Sequence, residues 1–263
     1  MIRVAAIGDV HYSEDSAGRL RDYWMNMHES ADLLLIAGDL TTHGAVEQAE
    51  ILARDLEVVQ IPIVVVLGNH DYHSDQAHLV RIEMERRKII VLDGESVTLT
   101  VEGARVGIAG TKGFGGGFAG ACGTAFGEPE MKAFVHHTEK LAVRLEEVLA
   151  RLDADYRIAL LHYSPIKETL EGERLEIYPF LGSYLLAEAI DYAGADLVVH
   201  GHAHSGKEKG VTARGIPVRN VALPVIRHPY GLYNLEKRPK AESKRSDLHQ
   251  EILVASDWRR SAE

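Results

Sequence analysis

Ile61-Pro62-Ile63-Val64-Val65-Val66-Leu67-Gly68-Asn69-His70-Asp71 contains the most apolar run of the chain and, at its end, an amide, an imidazole and a carboxylate side by side. The run is rich in β-branched residues and too short for a buried helix, which predicts a central strand covered on both faces. Gly68 lets the backbone turn sharply where the strand stops. Open α/β sheets place their ligands beyond the carboxyl ends of the strands. Taken alone, the polar tetrapeptide is also an ordinary turn sequence.

Four other apolar runs end the same way. Val4-Ala5-Ala6-Ile7 leads into Gly8-Asp9-Val10-His11, and Leu33-Leu34-Leu35-Ile36-Ala37 into Gly38-Asp39. Ile158-Ala159-Leu160-Leu161 leads into His162, and Leu197-Val198-Val199 into His200-Gly201-His202-Ala203-His204. Parallel strands would bring all five ends to one edge. Between them, apolar spacing predicts helices over 19–29 (Leu20, Tyr23, Trp24 and Met27 on one face), 45–58, and 76–87 with Ser74 as its cap. Such alternation implies a parallel sheet.

The pattern then changes. Short strands are expected at 89–92, 97–101 and 105–109, the last two forming a hairpin across Glu102-Gly103. The Gly-rich stretch 113–120 has no regular element in this reading. It lacks the Gly-Lys-Ser/Thr end of a phosphate loop and reads as a flap bearing Phe114 and Phe118, or as a plain connection. A helix over 140–152, an irregular polar insertion over 167–180, a helix over 184–192 and a second hairpin (210–213 with 217–221) follow, and 247–256 reads as a terminal strand or helix.

Bulk properties narrow the class. The 263 residues, 46% of them apolar, can build one α/β domain with a real core. The formal charge of −10 argues against a general nucleic-acid-binding surface. No run approaches the length of a membrane span. The opening strand at Ile2 leaves no leader pattern, and the single Cys122 fits a reducing environment, so a cytoplasmic location is expected.

In order, the polar ends read Asp-x-His (9, 11), Gly-Asp (39), Gly-Asn-His-Asp (68–71), His (162) and Gly-His-x-His (201–204). This series resembles the calcineurin-like metallophosphoesterase superfamily, whose five sequence blocks stand here in order. The resemblance implies an α/β fold of the four-layer α/β/β/α sandwich type, with a catalytic domain over 1–234; by composition, 235–263 reads as a charged, solvated extension rather than a binding arm. It also implies two divalent ions. Asp9, His11, Asp39 and His204 would hold one, and Asp39, Asn69, His162 and His202 the other, with Asp39 bridging. His70 corresponds to the family's catalytic histidine near the leaving group, Asn69 would stabilise phosphoryl oxygens, and Asp71 has a supporting role.

The donor chemistry agrees with this assignment. Imidazole, carboxylate and amide oxygen without thiolate suit Mn, Fe, Zn, Ni or Mg. Two divalent ions bring four positive charges and Asp9 and Asp39 remove two, so the pocket attracts phosphate even on an acidic chain. The expected activity is phosphodiester hydrolysis of a small molecule by a hydroxide bridging the metals, with a phosphomonoesterase or a catalytically silent metal-binding scaffold as alternatives. The segment Gly38-Asp39-Leu40-Thr41-Thr42-His43-Gly44 lacks the Asp-Arg pair of the protein serine/threonine phosphatases. It is similar to the branch holding class III cyclic-nucleotide phosphodiesterases and many generic phosphohydrolases. His200 is expected to pack behind the ligands. Lys112, Lys167 and Lys207 could reach substrate phosphate but read first as solvated cations, and oligomeric state is not read from the sequence.

Overall fold

The computed structural model describes residues 1–236. The chain begins with β1 (Ile2–Ile7), α1 (Arg21–Trp24), β2 (Leu33–Ala37), α2 (Val46–Leu56), β3 (Ile63–Val66), α3 (Ala77–Arg86) and β4 (Ile90–Val91). It continues through β5 (Glu95–Val101), β6 (Ala104–Thr111), β7 (Gly117–Phe118), β8 (Ala121–Cys122), α4 (Pro129–Ala150), β9 (Tyr156–Leu161), α5 (Tyr178–Leu181) and α6 (Tyr184–Ala193). It closes with β10 (Leu197–His200), β11 (Lys209–Val211), β12 (Pro217–Asn220), α7 (Leu223–Ile226) and β13 (Gly231–Leu235). The expected element at 247–256 and most of the extension lie outside the described residues.

Two sheets result. One runs β13-β1-β2-β3-β4, parallel except for β13, whose Leu235 pairs with Ile2. The other runs β11-β12-β10-β9-β6-β5, with a parallel centre and an antiparallel hairpin at each edge. Neighbouring residues of each central strand point to opposite faces. Leu34, Ile36 and Val65 therefore pack with Leu52, Val80 and Met84 of α2 and α3. Leu33, Leu35 and Val64 meet Ile108, Ile158 and Val199 of the second sheet. On the far face, Ala159, Leu161 and Val198 meet Leu145, Leu149, Leu186 and Ile190 of α4 and α6. These three apolar interfaces make the expected four-layer α/β/β/α sandwich, and each fully buried Leu, Ile or Val contributes about 1.5–3 kcal/mol. Among the described residues, no helix is long and apolar enough to cross a membrane.

Several local expectations need correction. The helix expected over 19–29 breaks into α1 and a 3-10 turn at Met27–Glu29, because Asn26 leaves helical backbone. Trp24 and Met27 are buried, while Tyr23 is 62% exposed. Ser74 does not cap α3; its hydroxyl donates to the His43 carbonyl instead. The helix expected from 140 starts at Pro129, a residue pre-organised for a first turn. The Gly-rich stretch does hold a regular element, the small β7–β8 hairpin, and Phe118 is buried against Leu170, Tyr178, Leu181 and Ala203. The insertion over 167–180 is largely two 3-10 turns followed by the start of α5.

Candidate metal centre

The strands β1, β2, β3, β9 and β10 end at one place, and the loops that leave them are stitched together through backbone. The Asp9 amide donates to the Gly38 carbonyl and the His11 amide to the Asp39 carbonyl, both at 3.0 Å. The Gly201 amide donates to the His162 carbonyl at 3.1 Å, which joins the β9 and β10 loops. Asp9 (φ 56°), His11 (φ 42°), Asp39 (φ 48°) and His202 (φ 70°) adopt left-handed backbone, and no β-branched residue stands among them. Each such position costs roughly 1–3 kcal/mol and persists where the surroundings over-determine it. The chain spends this strain on aiming four side chains into one pocket.

All seven residues expected to hold metal converge there. Ligand atoms of Asp9, His11 and His204 lie within 4.8 Å of one another, and so do those of Asp39, His162 and His202. Asp39 stands between the groups: His162 Nε2 is 3.4 Å from its Oδ1, and His11 Nε2 is 3.7 Å from its Oδ2. His70 Nε2 is 4.0 Å from Oδ2, and the His70 ring packs edge-on to His11 at 4.6 Å. Asn69 enters through Oδ1, 2.9 Å from His162 Nε2.

The lone pairs in this pocket suit a cation. His162 is fully buried, and its Nδ1 lies 2.9 Å from the Ala37 carbonyl, so Nδ1 carries the proton of the neutral ring. Its Nε2 then presents a lone pair to two oxygens, Asn69 Oδ1 and Asp39 Oδ1. Asp39 Oδ2 is buried without a hydrogen-bond partner. Acceptors facing acceptors, with an orphaned carboxylate oxygen beside them, is unfavourable unless a positive ion sits among them. The residues present therefore fit divalent metal.

Two of the histidines favour the neutral, ligating form. Burial pushes His202 down to about 3 and likewise lowers His11. Both rings stay neutral at physiological pH and keep a lone pair to donate. His202 Nε2 donates to the Phe180 carbonyl at 3.2 Å, which leaves Nδ1 as the donor atom. Burial also opposes the charge on Asp9, but the His204 hydrogen bond (2.9 Å) and the His202 amide outweigh it and hold Asp9 below its ordinary value. The same bond raises His204.

Asp71 is built differently. Its buried carboxylate accepts the amides of Leu40 (3.1 Å), Thr41 (2.8 Å) and Gly68 (2.8 Å), and the Thr41 hydroxyl at 2.7 Å. Burial and the Asp39 charge nonetheless push it up to about 6. With its oxygens so occupied, Asp71 clamps the Asp39 loop to the Asn69 loop. His200 is buried behind the site, between the Gly201 carbonyl (2.8 Å) and the Thr169 hydroxyl (2.9 Å), and burial lowers it to about 4.

Two supports escape a reading of the sequence. Asn220 donates to the Ala203 carbonyl at 2.7 Å and so holds the His202–His204 loop; nothing in its local sequence signals this. The Tyr163 ring lies 4.3 Å from the His202 ring, although its place beside His162 was a visible cue. Lys112, expected in solvent, is half-buried; Lys207, on the surface, pairs with Glu171.

Comparison with known proteins agrees with this architecture. The sequence profile described as Calcineurin-like phosphoesterase matches residues 2–206. The fold is similar to that of the phosphopantetheinyl hydrolase of Mycobacterium tuberculosis, with TM-score 0.64 and 14% identity over 91% of this chain and 98% of that one. An anchor protein of the Plasmodium inner membrane complex aligns with TM-score 0.55 and 13% identity over 92% of this chain and 76% of that one. A Thermus thermophilus protein gives 0.52 and 17%, over 90% of this chain and 99% of that one. No curated protein gives a significant match by sequence.

Proposed function

The chain belongs to the calcineurin-like phosphoesterase family, and on that premise we propose that it is a dinuclear metal-dependent phosphodiesterase acting on a small-molecule substrate. Asp9, His11, Asp39 and His204 would hold one divalent ion, and Asp39, Asn69, His162 and His202 the other. The ions would supply Lewis-acid stabilisation of phosphoryl charge and an acidified water. With nitrogen and oxygen donors only, Mn, Fe, Zn, Ni and Mg are all suitable. The observation that carries the reading is the acceptor-only contact of His162, Asn69 and Asp39, with the buried Asp39 Oδ2 left unpaired beside it.

The remaining chemistry belongs to His70. Its Nδ1 donates to the Thr42 carbonyl at 2.8 Å, which fixes the ring and turns Nε2 toward the cluster. A proton on Nε2 can pass to the departing alkoxide. Half-exposed, the ring stands where a leaving group would depart into solvent. Residues 1–234 form the catalytic unit in this reading. The acidic chain does not suit a general nucleic-acid surface, and the exposed Cys122 suits a reducing compartment such as the cytoplasm.

Hydrolysis of bis(4-nitrophenyl) phosphate and 4-nitrophenyl phosphate, each with Mn²⁺ and with EDTA, tests the proposal. Manganese-dependent turnover that is faster on the diester is expected. Faster turnover of the monoester would make the protein a phosphomonoesterase, and no turnover of either would leave it a metal-binding scaffold.

A further inference from the structure

Lys112 follows β6, and its carbonyl accepts the amides of both His162 (3.1 Å) and Tyr163 (3.0 Å). Its ammonium lies over three aromatic rings at once: Tyr72 and Phe114 at 5.1 Å and Tyr163 at 5.2 Å. Tyr72 stands two residues past His70. The Tyr163 ring packs on His202 at 4.3 Å and on His162 at 5.5 Å. Through the Tyr163 ring, the cage around this ammonium adjoins His162 and His202. His70 packs instead against His11.

What the cage does not contain matters as much. Lys112 enters no ion pair among the described residues, and its hydrogen-bond acceptor there is the Gly113 carbonyl at a marginal 3.5 Å. An ammonium has three protons to donate. Ring faces attract a cation without neutralising it or accepting its hydrogen bonds well. Asp93 and Asp39 draw on its charge from beyond ion-pair distance, while burial lowers its affinity for the proton. The chain has 39 acidic residues and 29 Lys and Arg, yet among the described residues no carboxylate forms an ion pair with this half-buried lysine. Divalent ions at the centre would add repulsion, which an anion lying between them and Lys112 would reverse.

We propose that Lys112 is a specificity residue holding a second anionic group of the substrate, a phosphate or carboxylate on the arm that stays with the scissile phosphorus. The inference rests on the phosphodiesterase reading and narrows it: the preferred diester carries a negative charge besides the one being attacked. The cage of Tyr72, Phe114 and Tyr163 keeps the flexible lysine stem in place before substrate arrives, which lowers the entropic cost of the contact.

Three 4-nitrophenyl phosphodiesters test this. They share a leaving group, and their second alcohol is propanol, 3-phosphopropanol or 4-hydroxybutyrate. In Mn²⁺, the wild type should favour one or both charged arms in kcat/KM over the neutral arm, and the better arm identifies the group. In Lys112→Met that preference should fall by about 10- to 100-fold, the range of a charge-assisted hydrogen bond, with partial recovery in Lys112→Arg. A merely structural lysine would change all three substrates alike, and that result, or a wild type indifferent to the arms, overturns the proposal. Calorimetric titration with propane-1,3-diyl bisphosphate and propyl phosphate separates this failure from failure of the phosphodiesterase reading. If no diester is cleaved, the phosphodiesterase reading falls, while selective loss of bisphosphate affinity in Lys112→Met still supports the anion site and equal affinities overturn it.

Discussion

At the scale of single residues, the site separates groups that would hold ions from the one that would move a proton. His162 and Asp39 are buried with lone pairs converging on each other, whereas His70 is partly exposed and has one nitrogen tied to the Thr42 carbonyl. His70→Ala should therefore retain its metals and lose activity by about 100- to 10 000-fold on an alkyl leaving group, the usual range for a general acid. On a nitrophenolate ester, whose leaving group needs little protonation, the loss should shrink to roughly tenfold. Equal losses on the two ester types in steady-state assays would remove the acid role. A second residue-scale expectation concerns stability. Asp32 accepts the Arg3 guanidinium at 2.6 Å and the Arg3 amide at 2.7 Å. Burial opposes its charge, but these bonds win and hold Asp32 below the ordinary carboxylate range. A folded pKa below the unfolded one stabilises the native state above the unfolded pKa, and the benefit is lost as pH falls through the folded value. Wild type should therefore melt above Asp32→Asn at pH 7, with the gap closing below about pH 4. A gap independent of pH would contradict this origin.

At the scale of elements, close approach between strand-end loops controls the site. A Cβ on Gly68, after β3, would stand 2.1 Å from Asp39 Oδ1 and 2.2 Å from the Asp39 amide nitrogen. One on Gly201, after β10, would stand 2.2 Å from Asp9 Oδ2. These two glycines let carboxylates lie directly on a neighbouring backbone. Gly68→Ala should cost about 1–3 kcal/mol by overpacking and weaken metal binding by about tenfold or more. Thermal melts and metal titration read the two effects, and unchanged metal affinity would contradict the packing argument. The strand ends were readable because apolar runs stop abruptly at ligand-type residues, and the hairpin across Glu102-Gly103 was readable from its turn. The first half of α4 was not: its residues alternate buried and exposed too weakly to mark a face, and Pro129 was the sole cue. The β7–β8 hairpin was hidden because glycine carries no side-chain pattern. The Lys112 cage was hidden because positions 72, 112, 114 and 163 meet only after the two sheets stack.

At the scale of the whole molecule, two parallel-centred sheets pack face to face so that the carboxyl ends of both open on one pocket. Asp9, Asp39 and Asn69 arrive from the first sheet, and His162, His202 and His204 from the second. Neither sheet alone carries a complete set of donors, which is why the ligand blocks extend from residue 9 to residue 204. Ions bound there would tie the sheets together and stabilise the native state by mass action. The count of ions bound after equilibrium dialysis against excess Mn²⁺, in wild type and Asp39→Ala, bears most directly on this. Two per chain in the wild type and at most one in the variant are expected. A wild type that binds one or none, or a variant that keeps two, would contradict a bridged pair of ions at Asp39.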